Sequence, residues 1–462
     1  MNNILLLTDS YKVSHWKQYP PKIEKVYSYF ESRGGKWQDV VFFGLQYYLK
    51  HYLSGQVVTQ EKIDEAEELF AAHFGNTELF NRAGWEYILR KHDGRLPVRI
   101  KAVAEGTSVP SFNVLMTVEN TDPEVYWLTN YLETFLVQTW YGSTVATQSK
   151  EMRHLISKYL TRTGTPELID FKLHDFGFRG VSSVESAGLG GAAHLVSFKG
   201  TDTIAALKFA RKYYDESMAG FSIPAAEHST ITSWGEKYEF DAMRNMLTQF
   251  PTGLVACVSD SFNIFEACSD IWGNKLKAEV LKRNGTLVIR PDSGDPVQVL
   301  VKGHPNVFDI LADKFGFTIN AKGFKVLEDH VRVIQGDGID FEMLDAILYA
   351  MMQKGYSTDN ISFGSGGALL QKLNRDTLKF AFKNSSVVVD GKQRDVFKNP
   401  VTDKGKQSKR GRLRLIKPNG FYHTVREEEA PESEDCLHEV FCDGIIKREW
   451  TFSEVRANAL GG

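Results

Sequence analysis

The residues best suited to chemistry in this chain stand directly behind short apolar runs. Asp202, His228, Asp260, Asp292, Asp337 and the pair Gly366-Gly367 each occupy such a place. Taken singly, a polar residue after a strand reads as a helix N-cap, its side chain accepting from the free N–H groups of the next helix. Six of them behind separate apolar runs read instead as parts of one shared site. Gly364-Ser365-Gly366-Gly367 lies between a β-like run and helical sequence at 368–373. A glycine-rich turn entering a helix directs unpaired backbone N–H groups at one point, and the helix dipole favours an anion there. The same residues also serve as an ordinary tight turn. Arg375, Lys383 and Lys398 follow as candidate cationic partners, and the stretch 403–412 adds Lys404, Lys406, Lys409, Arg410 and Arg412. A charge run of this kind is normally a solvated loop; a highly phosphorylated ligand would give it a purpose. Neither the Walker spacing nor the dinucleotide-binding fingerprint is present.

His174-Asp175-Phe176-Gly177-Phe178-Arg179-Gly180 adds two aromatic rings and an arginine at the end of another apolar run. As plain structure, the rings would be core and the arginine a surface cation. As a site, a ring could stack a planar ligand, worth about 0.5–1.5 kcal/mol beyond burial, and the arginine could hold a phosphate or an amide carbonyl.

These groups need elements to aim them. Within 168–383, apolar runs at 254–258, 287–289, 331–334 and 361–363 are each followed by polar or glycine residues and then helical sequence. Asp260, Asp292, Asp337 and Gly366 are 32, 45 and 29 residues apart, close to the βα repeat of a barrel or doubly wound sheet. Folds of that kind place their chemistry at the carboxyl ends of the strands. Residues 1–167 mix alternating segments (26–31, 98–103) with helical ones (61–73, 125–139) and read as an α+β domain. Residues 384–462 are short-stranded and loop-rich, and are expected to pack back on the N-terminal domain.

With 462 residues, 42% of them hydrophobic and 24% charged, the chain is long enough for two or three packed globular units. A net charge of -3 gives no general reason to expect nucleic acid or an anionic membrane as a partner. Cys257, Cys268, Cys436 and Cys442 lack zinc-ligand spacing and are too sparse for a disulfide framework. Free thiols, two of them in apolar stretches, fit a reducing compartment. Residues 4–7 are too short for a signal-peptide core, and no stretch approaches the roughly 18 apolar residues of a membrane span. A cytoplasmic location is expected.

Longer blocks of sequence add a family resemblance. HDFGFRGVSS (174–183), FKGTDT (198–203), PAAEHSTIT (224–232), VSDS (258–261), IRPDSGDP (289–296), VIQGDG (333–338) and FGSGGALLQKL (363–373) resemble the nicotinamide phosphoribosyltransferases, within the type II phosphoribosyltransferase family. TDSYKVSHWKQYPP (8–21), NVLMTVENTDPEVYWLTNYLET (113–134) and SKRGRL (408–413) extend the match, in order, from Thr8 to about Asn458. The resemblance implies an incomplete α/β barrel packed on an α+β domain, working as a homodimer with active sites shared between subunits. It implies formation of nicotinamide mononucleotide and pyrophosphate from nicotinamide and 5-phosphoribosyl-1-pyrophosphate in NAD salvage. ATP would be an energy-coupling co-substrate, and Mg2+ would accompany the pyrophosphate on protein ligands that stay unassigned.

The same resemblance implies roles for individual residues. Phe176 would stack one face of the nicotinamide ring, with Tyr11 of the partner subunit on the other and Asp9 of the partner subunit beside it. Asp202 would accept the carboxamide N–H, with Arg179 and Arg290 lining the same pocket. Arg33, Arg375, Lys383, Lys398, Gly366 and Gly367 would hold phosphate, and Lys406 would belong to a basic loop near it. Asp292, Gly336 and Asp337 would lie along the ribose and phosphate path, and His228 would be phosphorylated by ATP with Asp260 beside it. Three features depart from the animal members: Gly34-Gly35 replaces a longer lysine-rich insertion, as in a bacterial or phage form; Ala256 and Ala381 stand where hydroxyl side chains are expected; and 427–435 is an acidic stretch that reads as an exposed loop. Nicotinate and quinolinate phosphoribosyltransferases would use the same barrel, but their carboxylate substrates would want cations where Asp202 stands. A non-catalytic binding protein built on the barrel would not need the phosphate set, the histidine and the carboxylates together.

Overall fold

The aromatic and β-branched run Ile23–Ser32 forms a strand buried over most of its length. In the computed structural model, which describes residues 3–399, Thr402 and 408–461, it is the third of seven strands in an antiparallel sheet. The order is Lys392–Asp395, Phe380–Val389, Ile23–Ser32, Val114–Asn120, Val98–Ala102, His438–Cys442 and Ile445–Ile446. Strands from the last 80 or so residues therefore pair directly with strands from the first 120. Alternation is clear in Val98–Ala102, where every second residue is buried. Helix Gln60–Phe74 buries Ile63, Ala66 and Phe70; Thr59 caps its start by accepting from the Lys62 N–H, and Gly75 ends it in the left-handed region at φ 62°.

Contacts divide the chain into two compact units, one of residues 1–147, 212–216 and 373–462, the other of 148–211 and 217–372. The first division falls inside the helix Thr139–Thr163, not at 167/168, because helical periodicity does not tell which core an apolar face enters. The sequence boundary at 383/384 falls within the strand Phe380–Val389, whose apolar pattern is interrupted by Lys383 and Asn384. The helical stretch expected at 125–139 is broken into the short helices Leu128–Tyr131 and Glu133–Leu136 before the long helix begins.

The second unit is built on a parallel sheet of six strands, ordered Gly200–Thr201, Leu173–Asp175, Ile361–Ser365, Val331–Gln335, Leu287–Arg290 and Val255–Val258. Val255–Val258 and Leu287–Arg290 are almost wholly buried apolar sequence, as expected of strands covered on both faces. Between the two edge strands runs the segment 221–225, joined to one by a bridge from Phe221 to Gly200 and to the other by a bridge from Ala225 to Ala256. The sheet thus curls into an incomplete α/β barrel. No helix among the described residues is long and apolar enough to cross a membrane. Cys257, Cys268 and Cys442 are buried free thiols and Cys436 is half-buried.

Candidate functional site

Strand ends of the second unit root the candidate side chains. Leu173–Asp175 runs into Phe176, whose N–H donates to the Ser365 carbonyl at 3.0 Å. Buried Lys172, one residue before the strand, donates to the carbonyls of Thr358, Asp359 and Ile361 at 2.9, 3.1 and 2.8 Å. Those bonds staple this strand to Ile361–Ser365 and satisfy all three ammonium donors. Gly364 leaves room for the aromatic ring: a Cβ there would lie 2.0 Å from Phe176 Cε2. Asp175 is fully buried and accepts from the Gly177 N–H at 2.7 Å and the Thr201 hydroxyl at 3.4 Å, fixing the turn that leads to Arg179. Burial pushes its carboxyl pKa up to about 6.

Phe176, Arg179, Asp202, Arg290, Asp292, Gly336, Asp337, Gly366 and Gly367 line one cavity of about 810 Å³. Each comes from the carboxyl end of a strand or the turn after it. Asp202 is held by its N–H, which donates to the Asp175 carbonyl at 2.9 Å, and by the Ser222 hydroxyl, which donates to its Oδ1. The Arg290 guanidinium stands 5.5 Å from the Phe176 ring centroid and donates to Asp292 Oδ1 from Nε and Nη2 at 3.0 and 2.7 Å. A second cavity of about 250 Å³ shares Phe176, Asp202 and Arg290 with the first, and its other walls include Ile223, Ala225, Ala256, Val288 and Ile334. Ala256 gives this cavity a methyl group.

His228 opens the short helix His228–Thr232 with its side chain 47% exposed. Its Nε2 lies 3.0 Å from Oδ1 of Asp260, a carboxylate only 2% exposed, and its Nδ1 lies 4.0 Å from Asp292 Oδ2. Asp260 Oδ2 accepts the Asp292 N–H at 3.0 Å. A connected chain therefore runs from the Phe176 ring through Arg290, Asp292 and Asp260 to His228.

Gly366 and Gly367 line the cavity, but the helix they open, Gly367–Leu370, is a single turn and does not reach the expected 373. Gln371 and Lys372 both donate back to the Gly367 carbonyl at 2.8 Å, which closes the turn. A single turn aligns few peptides, so any attraction for an anion here would come from backbone N–H groups more than from a macrodipole.

The first unit holds the other cationic candidates. Arg33, Arg375, Lys383 and Lys398 line a cavity of about 680 Å³, joined by Lys379 and the acidic Glu133 and Asp376. Ala381 lines it too. Burial pulls the Lys383 pKa below the ordinary lysine value, Glu133 opposes this, and the crowding of Arg33, Arg375 and Lys398 adds to it. Asp9 accepts from the Thr134 hydroxyl at 2.6 Å at the start of the helical turn Ser10–Lys17, and Tyr11 within that turn is 60% exposed. Lys406 lies outside the described residues. The acidic stretch 427–435 is only partly a free loop, because Glu427 pairs with Arg412 and Arg414 and Asp435 accepts the Leu415 and Leu437 N–H groups. Sequence reasoning missed Lys172 and Ser222, and it named Gly364 only as part of the Gly-rich turn, not as the space that the Phe176 ring needs.

This arrangement offers an aromatic face beside an acceptor and a guanidinium, then a row of carboxylates, then a glycine turn. It suits a flat amide-bearing ring joined to an anionic group.

Two family models match the chain: the nicotinate phosphoribosyltransferase family over residues 171–445 and the nicotinamide phosphoribosyltransferase N-terminal domain over 3–100. A nicotinamide phosphoribosyltransferase from Xanthomonas campestris pv. campestris is 52% identical, with 99% of this chain and 98% of that protein aligned. Another from Acinetobacter baylyi is 35% identical over 98% and 96%. Among solved structures, the nicotinate-nucleotide pyrophosphorylase of Pyrococcus furiosus superposes with a TM-score of 0.61 at 17% identity, covering 99% of this chain and 95% of that one. Human nicotinic acid phosphoribosyltransferase gives 0.58 at 17% identity over 98% and 93%. Those two likenesses establish the type II phosphoribosyltransferase fold. Near-full-length identity of 52% and 35%, together with the matched N-terminal domain, establishes more than the fold: the chain belongs to the nicotinamide phosphoribosyltransferase family.

Proposed function

We propose that the chain joins nicotinamide to C1 of 5-phosphoribosyl-1-pyrophosphate, giving nicotinamide mononucleotide and pyrophosphate. One observation carries the reading: Phe176 and the anionic Asp202 share a cavity with Arg290, Asp292 and the Gly366-Gly367 turn. A carboxamide N–H can donate to Asp202, whereas the carboxylate of nicotinate would meet a like charge. The pyridine nitrogen already has a free lone pair, so no general base is required. The barrier lies in loss of pyrophosphate, which builds cationic character at C1. Asp292, with Oδ1 engaged by Arg290, keeps Oδ2 to favour that cationic sugar, and the N–H turn holds phosphate; preorganised electrostatics of this kind is usually the largest catalytic term.

Magnesium fits as an ion carried on the pyrophosphate. Among the described residues no three His, Cys, Asp or Glu side chains gather as a metal cage, and this ion commonly takes one or two carboxylates plus phosphate oxygens. Asp292, which lines the cavity, is the carboxylate that would hold it, and when bound it would neutralise charge on the departing group. ATP fits at His228. With Nε2–H donating to Asp260, Nδ1 keeps its lone pair. Nδ1 would attack the γ-phosphorus, forming an N–P bond as the β–γ bridging P–O bond breaks and ADP leaves. A homodimer would bring the partner subunit's Tyr11 and the partner subunit's Asp9 to the open face of the ring; the 60% exposure of an aromatic side chain on Ser10–Lys17 supports this. The reading puts the chain in the cytoplasm, in keeping with its free cysteines.

Substrate choice tests the reading. A hydrogen bond to a charged acceptor is worth about 1.5–3 kcal/mol, so the wild-type enzyme should prefer nicotinamide over nicotinate by roughly 10- to 150-fold in kcat/KM. Asp202→Asn should narrow that ratio toward unity by slowing the amide and relieving the acid. Equal use of both substrates by the wild type would remove the basis of the assignment.

A further inference from the structure

We infer that Glu31 is a positioning residue for phosphate binding: it aims Arg33 into the cationic cavity of the first unit and ties it to Lys409. The inference rests on the proposed function for the identity of the ligand, a pyrophosphate-bearing substrate. Tyr29 and Glu31 stand two apart in the strand Ile23–Ser32 and Arg33 follows its last residue, so strand alternation brings the three side chains toward one face. The Glu31 side chain is only 3% exposed. Its Oε1 accepts from Arg33 Nε at 2.8 Å, and its Oε2 accepts from the Lys409 ammonium. The Lys409 backbone N–H donates to the Tyr29 hydroxyl at 2.9 Å, and its ammonium lies 5.7 Å from the Tyr29 ring centroid. Arg33 in turn lines the cavity with Arg375, Lys383 and Lys398.

A buried carboxylate between two cations is a poor device for stability, since desolvation offsets most of the attraction. It is a good device for direction, because an arginine gripped at Nε has its remaining N–H edge fixed. The two effects of Glu31 on an anion have opposite signs. By charge alone, Glu31 weakens anion binding, and its neutralisation would tighten it. By orientation, its loss frees Arg33 to swing and weakens binding. Glu31 contributes through orientation, so the second effect exceeds the first.

The experiment compares wild type with Glu31→Gln, which keeps the shape and removes the charge. Steady-state kinetics should give a rise of about tenfold in KM for 5-phosphoribosyl-1-pyrophosphate, with kcat and the nicotinamide KM changed by no more than about twofold. Calorimetric titration with inorganic pyrophosphate should show the same loss of about tenfold without any turnover. Lys409→Met leaves the Arg33–Glu31 contact in place and covers the case in which Glu31→Gln folds poorly; it should weaken pyrophosphate binding by a smaller factor, and the double variant should be no weaker than Glu31→Gln alone. Pyrophosphate affinity equal to or tighter than wild type in Glu31→Gln, or effects of the two substitutions that simply multiply, overturns the inference. A wild type that binds pyrophosphate but makes no mononucleotide overturns the proposed function instead, and leaves the calorimetric comparison to decide on Glu31.

Discussion

His228→Ala should abolish ATP hydrolysis and acid-labile phosphorylation of the protein while leaving a residual ATP-independent synthesis of mononucleotide. The expectation follows from the geometry. Asp260 holds Nε2 at 3.0 Å and is itself fixed by the Asp292 N–H, so the imidazole is oriented with Nδ1 toward Asp292 Oδ2. A half-exposed ring held in this way can take a phosphoryl group from solution, whereas a structural histidine would normally be buried on both nitrogens. His228 does not line the cavity that Phe176, Asp202 and Arg290 share, so the ring pocket survives the substitution. Alanine removes the imidazole that would take the phosphoryl group, and the loss should be complete. Incubation with γ-labelled ATP, followed by alkaline and acid treatment, checks it. Label of normal acid lability on the variant, at the wild-type level, would place the phosphoryl acceptor elsewhere.

A second large effect is expected from mixing two inactive variants, Tyr11→Ala and Phe176→Ala, under conditions that allow subunits to exchange. Phe176 supplies one aromatic wall of the cavity. If Tyr11 of the partner subunit supplies the other, a mixed dimer holds one site with both lesions and one with neither. Activity per mixed dimer should then recover to about half the wild-type value, by two-fold arithmetic. Both walls from one chain would leave a lesion in every site, and mixing would restore nothing. Subunit exchange is verified separately by mass spectrometry of differently tagged chains, so a failure to recover is informative.

Much of the site was legible because parallel strands announce themselves as short apolar runs, and the first polar residue after each run marks the carboxyl end. Asp202, Asp260, Asp292, Asp337 and Gly366 were found that way, and the barrel gathers three of the carboxylates and the glycine turn around one cavity. The residues that hold these groups in place were not legible. Lys172, Asp175 and Glu31 are charged residue types, and charge in a sequence normally reads as surface; here each is buried and has a partner distant in the chain, Thr358 for Lys172, Thr201 for Asp175 and Lys409 for Glu31. The segment 221–225 has no strand-length run, so its place between the edge strands depends on single bridges that no local pattern encodes. The long helix Thr139–Thr163 was not foreseen beyond its first residue, and its division between the units at 147/148 depends on which core each part of it enters, which no local pattern encodes. The glycine turn was found, but its helix was overestimated, because 368–373 contains good helix formers that the Gln371 and Lys372 bonds to Gly367 nevertheless stop.

The central claim is that an acidic residue beside an aromatic wall selects the neutral amide for transfer to a phosphoribosyl group. The most direct measurement incubates the purified chain with 5-phosphoribosyl-1-pyrophosphate, Mg2+ and equal concentrations of nicotinamide and nicotinate, and quantifies both mononucleotides by mass spectrometry. Pyrophosphate should equal the sum of the two mononucleotides, with the nicotinate product lower than the nicotinamide product by roughly 10-fold or more. Dominance of the nicotinate product, or pyrophosphate release with neither mononucleotide, would contradict the account.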